Sequence, residues 1–314
     1  MNDDFLSTPQ DKNSPRAPAG FPGYVFLNET GLRAGWRLLI YVAISVLLWV
    51  VSIFLLRLLL RPALGVSSST VDFFSELASF LAAFLAALIM SRLEARPMGV
   101  YGLPMRSALG KQFWLGCLFG FAEIAVLIAL IAALGGYSFG TLAEHGSAIA
   151  KWALFWAVFF LVVALFEEFF FRGYTLYTLA DGIGFWPAAA ILSMCFGAVH
   201  FQNSGEGWIG VAGVVFVGLF WALTLKRTGS LWFALGMHTS FDFGETFLFS
   251  VPDSGMIFPG HLSNATLHGP RWMTGGMAGP EASVFDFLIL AAFFFLFDRL
   301  YPASKVPKNA LTTY

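Results

Sequence analysis

Charge is what this sequence has least of. Only 12% of its residues are charged against 58% hydrophobic, a balance that excludes a soluble globular domain, where about a quarter of residues carry charge. Its 18 basic and 19 acidic side chains nearly cancel, leaving a net charge of −1. No basic field is present to hold a polyanion, so nucleic-acid binding drops out as a function class. Cysteine is equally scarce: Cys117 and Cys195 both lie in apolar runs, which excludes a disulfide framework and a cysteine zinc site. Met1 to Glu29 is rich in Asp, Asn, Ser, Pro and Gly and lacks the apolar core of a signal peptide, so residues 1–30 are expected to form a solvated tail.

Long apolar runs fill most of the remainder. Eight spans are expected: Trp36–Leu56, Phe73–Met90, Phe113–Leu134, Trp152–Leu176, Trp186–Phe201, Trp208–Leu225, Leu231–Phe249 and Val284–Phe297. At about 1.5 Å per residue such runs approach or exceed the hydrocarbon thickness. The expected fold is therefore an all-α polytopic membrane protein with an intramembrane catalytic cavity. It comprises one transmembrane domain over residues 31–300 and a short tail over residues 301–314.

Basic residues orient such a protein. With the N-terminus in the cytoplasm, Lys12, Arg16, Arg33, Arg37, the loop from Arg92 to Lys111, Lys226, Arg227, Arg299, Lys305 and Lys308 all fall inside, and mainly Arg57, Arg61, Lys151 and Arg271 fall outside. Both termini are thus expected to be cytoplasmic, as in a bacterial cytoplasmic membrane; an endoplasmic-reticulum membrane is the alternative. Ser250 to Ser283 then forms an external loop. Membrane lipid is the one partner this composition demands.

Against that background the stretch Ala164-Leu-Phe-Glu-Glu-Phe-Phe-Phe-Arg172 stands out, because it places three charges inside an apolar span. A charge at the bilayer centre costs at least about 2.5–3.5 kcal/mol, so such residues need partners and mark function by default. Residues four apart share a helix face, whereas adjacent ones diverge by about 100°. Glu168 and Arg172 can therefore pair internally, leaving Glu167 to face a cavity as a general base or acid. Two later spans carry Phe196-Gly-Ala-Val-His200 and Gly236-Met-His238-Thr-Ser-Phe-Asp242. His238 and Asp242 are again four apart and can address one cavity. Helical rise puts Glu167, His200, His238 and Asp242 at about 12–21 Å depth, where they can meet.

Glu167-Glu168-Phe-Phe-Phe-Arg172, Phe196-Gly-Ala-Val-His200 and His238-Thr-Ser-Phe-Asp242, in this order, resemble the three motifs of the CAAX-protease and bacteriocin-processing (Abi) family of intramembrane endopeptidases, the type II CAAX prenyl endopeptidase-like proteins. The lead-in Gly229-Ser-Leu-Trp232 and the segment Thr274 to Glu281 are similar to the family as well. The resemblance implies eight spans around a cavity open to the cytoplasm and the bilayer. It also implies hydrolysis of a peptide bond in a membrane-associated peptide or protein, prenylated or otherwise apolar. Family roles fall on Glu167 and His200 as the pair activating water, on His238 and Asp242 as oxyanion stabilisers, and on Glu168 and Arg172 as the supporting pair.

Asp242 departs from the frequent Asn of the third motif. An ionised Asp only accepts hydrogen bonds. It must then hold His238 as the donor, carry a proton, or help to bind a metal. A zinc site is the alternative to a Glu/His-activated water, with Glu167, His200 and His238 as its ligands. For the whole protein the alternative is a non-hydrolytic immunity factor, scaffold or transporter using the same buried charges. Glu123 is expected to be a lumen-facing hydrogen-bond partner and Glu281 a loop cap. His145, His261 and His268 are expected to be ordinary loop histidines.

Overall fold

The computed structural model describes residues 26–28, 31–59 and 67–303. The tails expected at 1–30 and 301–314, and Arg61, lie largely or wholly outside the described residues. Among the described residues the chain is helical nearly throughout, with two two-stranded antiparallel pairs, Leu27–Asn28 with Gly31–Leu32 and Tyr137–Ser138 with Thr266–Leu267. The all-α class is as expected.

All eight expected segments fall on helices. They are α1 (Ala34–Leu59), α2 (Ser68–Leu93), α3 (Lys111–Ala133), α4 (Ser147–Glu168) running through a π-helical turn (Phe169–Tyr174) into α5 (Thr175–Ile183), α6 (Phe185–His200), α7 (Trp208–Thr228), α8 (Trp232–Phe243) with a second π-helical turn (Gly244–Leu248), and α9 (Val284–Leu300). Among the described residues, α1, α2, α3, α7 and the continuous helix Ser147–Ile183 are long and apolar enough to cross a membrane. The helices α6, α8 and α9 are shorter, so five crossings, not eight, follow from length and apolarity. The fourth segment also overran its expected end at Leu176, because Gly173 kinks the helix without stopping it.

Burial explains how short helices fit. Leu47, Phe54 and Leu59 of α1 are 63%, 67% and 70% exposed, an apolar outer surface suited to lipid in an integral membrane protein. Every residue from Trp232 to Thr239 of α8 is buried, so that helix is enclosed by protein and need not match the bilayer. It packs backbone to backbone on α3. A Cβ at Gly116 would meet the Phe233 carbonyl, and one at Gly236 would meet the Phe113 carbonyl. Such reciprocal glycines let two membrane helices approach closely, and Ser240 Oγ donates across the seam to Cys117 O at 2.9 Å.

Polar groups gather at two opposite ends. At one, Arg37 of α1 pairs with Glu94 at 2.8 Å and with Asp181 at 2.9 Å, Arg96 donates to Asp181 at 3.0 Å, and Arg227 pairs with Asp298. This end holds the start of α1 and the end of α9. At the other end the loop following α8 covers the bundle. Phe258 packs on Trp156, Phe159 and Phe160 of α4, and Asn264 N donates to Thr141 O at 2.8 Å.

Candidate active site

Three motifs on three helices build the site. The Glu-Glu-x-x-x-Arg motif straddles the passage from α4 into its π-helical turn, where a widened turn frees backbone carbonyls. Thr175 Oγ1 returns to them, donating to Phe171 O at 2.8 Å and also contacting Phe170 O. Glu168 and Arg172 are completely buried and paired, Arg172 Nη1 donating to Glu168 Oε1 at 3.1 Å.

Aromatic faces hold the rest of the guanidinium. Arg172 Cζ lies 4.2 Å from the ring centre of Phe196, 5.4 Å from Trp221 and 5.7 Å from Phe171. Desolvated cation–π contacts of this kind are worth about 2 kcal/mol. Phe196 opens the second motif, and its ring also meets His200 at 4.4 Å between centroids. The first and second motifs are thereby locked together. Gly218 of α7 has no side chain where Arg172 Nη2 approaches.

His238 is the hub. Its Nε2 lies 3.2 Å from Asp242 Oδ2 and 3.7 Å from Glu167 Oε2, and its Nδ1 lies 3.4 Å from Glu168 Oε1. Its ring stacks on Trp221 with centroids 4.7 Å apart and planes within 19°. Glu168, expected to serve Arg172 alone, thus lies between Arg172 and His238. On α6, His200 Nδ1 lies 2.8 Å from Phe196 O. A carbonyl only accepts, so Nδ1 carries the proton and Nε2 is left free.

Glu167, His200, His238 and Asp242 line one cleft of about 350 Å³. Its remaining wall includes Asp72, Ser75 and Glu76 of α2 and Asp253, Ser254 and Met256 of the loop. Those positions escaped sequence reasoning; the only signal was acidic residues near the start of an apolar span. The cleft therefore lies towards the end opposite the termini. Cytoplasmic termini and a cleft open to the cytoplasm, both expected from the sequence, do not fit this geometry together.

A smaller cavity shares His200, His238 and Asp242 with the cleft and is lined further by Glu123, Glu245, Asp253, Glu281 and Asp286. Burial, with Asp242 and Glu281 nearby, pushes the Asp253 carboxyl well up, and burial raises Glu281 to about 7. Glu281 is thus part of a buried acidic group, although it also has the capping bond expected of it, accepting from Ser254 N at 2.8 Å. Oxygens of Glu245, Asp253 and Glu281 all lie within 4.8 Å of one another, whereas Glu167, His200 and His238 form no such group among the described residues.

Residues 149–244 match the family model described as type II CAAX prenyl endopeptidase Rce1-like. None of the curated proteins compared with the chain matches it. The matched range contains all three motifs and the helices that bring them together, and the family that those motifs resemble is the family whose model matches here: the Rce1-like type II CAAX prenyl endopeptidases, a protease family.

Proposed function

We propose that the protein is an intramembrane endopeptidase that hydrolyses a peptide bond through a water activated by Glu167 and His200. The observation that carries this reading is the convergence of Glu167, His200, His238 and Asp242, from α4, α6 and α8, on one cleft within the matched segment. Glu167 takes the proton as water attacks the carbonyl carbon, and that proton passes to the leaving amine when the C–N bond breaks. His238, as an imidazolium, donates to the oxyanion. Nδ1 faces Glu168, so the donor is the Nε2–H, which Asp242 accepts and holds in place until the forming oxyanion takes it over; an acceptor at position 242 is thus compatible with an oxyanion site. Glu168 supports His238 from the far side while neutralising Arg172. No step is routed through a metal.

The basic residues favour a cytoplasmic location for the end bearing the termini. The cleft then faces the opposite side, and its substrate is a peptide segment reaching the outer leaflet. The test is cleavage by the purified protein in detergent of prenylated and unprenylated peptides, with and without a chelator. Glu167→Gln is expected to abolish cleavage by folded protein; undiminished cleavage by that variant would overturn the proposal.

A further inference from the structure

Five carboxylates of the smaller cavity, beside His200, His238 and Asp242, have no role in the peptide hydrolysis described above. Glu123 comes from α3, Glu245 from the π-helical turn after α8, Asp253 and Glu281 from the covering loop, and Asp286 from the first turn of α9. Glu123, Glu245, Asp253 and Asp286 are only 2%, 1%, 9% and 4% exposed. No Lys or Arg lines the cavity. His238, the one cation that the hydrolysis places at this cavity, already faces Glu167, Glu168 and Asp242, so the five buried carboxylates require another source of neutralisation.

How the oxygens are used points to the nature of that source. Asp253 Oδ2 accepts from Thr246 Oγ1 at 2.8 Å and Glu281 Oε1 from Ser254 N at 2.8 Å, so one oxygen of each carboxylate is held by the protein. Asp286 Oδ1 is buried without any hydrogen-bond partner, and Glu245 Oε1 and Glu281 Oε2 meet no donor outside the Glu245–Glu281 carboxyl pair itself. An oxygen left bare at the wall of a cavity, beside others held in place, is what a metal ligand looks like before the metal is added.

We propose that Glu245, Asp253 and Glu281, backed by Glu123 and Asp286, bind one hard divalent cation, with calcium the best fit. All the donors are oxygens, the preference of calcium, magnesium and manganese over zinc or copper. Oxygens on opposite sides of a calcium ion stand about 4.6–5.2 Å apart, and about 4.0–4.2 Å apart across magnesium. The ligand atoms of the three central carboxylates lie within 4.8 Å of one another, close enough to share one ion, and a cage of protein carboxylates suits calcium better than magnesium, which keeps several of its waters. The cavity, about 80 Å³, has room for the ion and a water. Asp253 and Ser254 line both this cavity and the cleft, as do His200, His238 and Asp242. A bound cation therefore fastens the covering loop to α8 beside the catalytic residues.

The measurement is equilibrium binding of radioactive calcium to the full-length protein in detergent after chelator treatment, with no peptide substrate present. Failure of the protease reading leaves this result untouched. One calcium per chain is expected, with half-saturation below about 1 mM, together with a higher melting temperature on calcium addition. Glu245→Gln and Glu281→Gln are each expected to weaken binding at least about tenfold, while Glu144→Gln, in another loop at the same end, leaves it unchanged. Glu281→Gln alters the loop rather than a helix and keeps the test open if Glu245→Gln fails to fold. Folded wild-type protein that binds no calcium, manganese or magnesium up to about 1 mM would overturn the site and assign its neutralisation to protons. Calcium binding retained in both cage variants would overturn it too.

Discussion

His238 Nε2 lies 3.2 Å from Asp242 Oδ2, one helical turn further along α8. Asp242 therefore acts through His238, by fixing the ring that faces Glu167. Replacement by Asn keeps an acceptor for the ring and adds a donor for the oxyanion. Asp242→Asn is expected to retain cleavage, and Asp242→Ala to lose about 10²–10³ in kcat, the cost of an oxyanion donor, here His238, that is no longer held in position. Single-turnover assays on folded variants decide between them. If Asn proves as inactive as Ala, the negative charge at 242, not its hydrogen bond, is what the site uses.

The two glutamates of the first motif are expected to fail differently. Glu167 side-chain exposure is 23% and that of Glu168 is zero. Glu167→Gln removes a base from the cleft and leaves packing intact, so folded yield stays near wild type while turnover disappears. Glu168→Ala leaves Arg172 buried without its counter-ion, and loss of one partner of such a pair typically costs about 3–5 kcal/mol. Size-exclusion profiles and melting curves separate the two outcomes; a Glu168→Ala protein of unchanged stability would refute the supporting role.

Arg172 offers a sharper test of how the motifs interlock. Its guanidinium is at once paired with Glu168 and enclosed by the rings of Phe196, Trp221 and Phe171. Lysine keeps the charge but lacks the flat face that stacks on aromatic rings. Arg172→Lys is expected to lower the melting temperature, by about 2 kcal/mol of lost stacking, and Phe196→Leu to lower it through the same contact. A double-mutant cycle between the two positions should show clear non-additivity.

Spacing made the motif residues legible. Charges four apart inside apolar runs leave few readings: Glu168 with Arg172, and His238 with Asp242, follow from helical periodicity alone. The π-helical turn at Phe169–Tyr174 was not legible, because no residue in Phe-Phe-Phe-Arg-Gly-Tyr dictates a wider turn; it comes from tertiary packing and from Thr175 rescuing the carbonyls. The acidic cavity was hidden for a different reason. Glu245, Asp253, Glu281 and Asp286 are spread over 42 positions and share no period, so only the folded loop brings them together. Glu123, which the sequence leads one to expect as a lumen-facing partner, faces that cavity.

Close approach of α3 and α8 sets the position of His238, and glycine permits it. Gly236 lies two residues before His238, with the Phe113 carbonyl where its side chain would be. Gly236→Val must push the helices apart, and overpacking of this kind costs about 1–3 kcal/mol. Activity is expected to fall further than stability, since about 1 Å of displacement of a catalytic group can cost a hundredfold. Cleavage and melting measured on the same preparation check this. Full activity in a destabilised Gly236→Val protein would show that the position of His238 tolerates movement of α8.

The side on which the cleft opens is the last prediction, and it bears on what substrate can enter. Met256 is 52% exposed and lines the cleft, whereas Ser107, also exposed, lies in the loop between α2 and α3 at the end bearing the termini. Because the bundle separates them, one membrane-impermeant reagent cannot reach both from the same side. In a bacterial cytoplasmic membrane, with Cys117 and Cys195 replaced, Met256→Cys is expected to react in intact cells with a maleimide that has crossed only the outer membrane. Ser107→Cys should react only after the cytoplasmic membrane is opened. The reverse pattern would turn the cleft towards the cytoplasm and the termini outward, against the distribution of Arg and Lys. A cytoplasmic cleft would make peptides lipidated in the cytoplasm its natural substrates, while an outward one restricts it to segments presented at the outer leaflet.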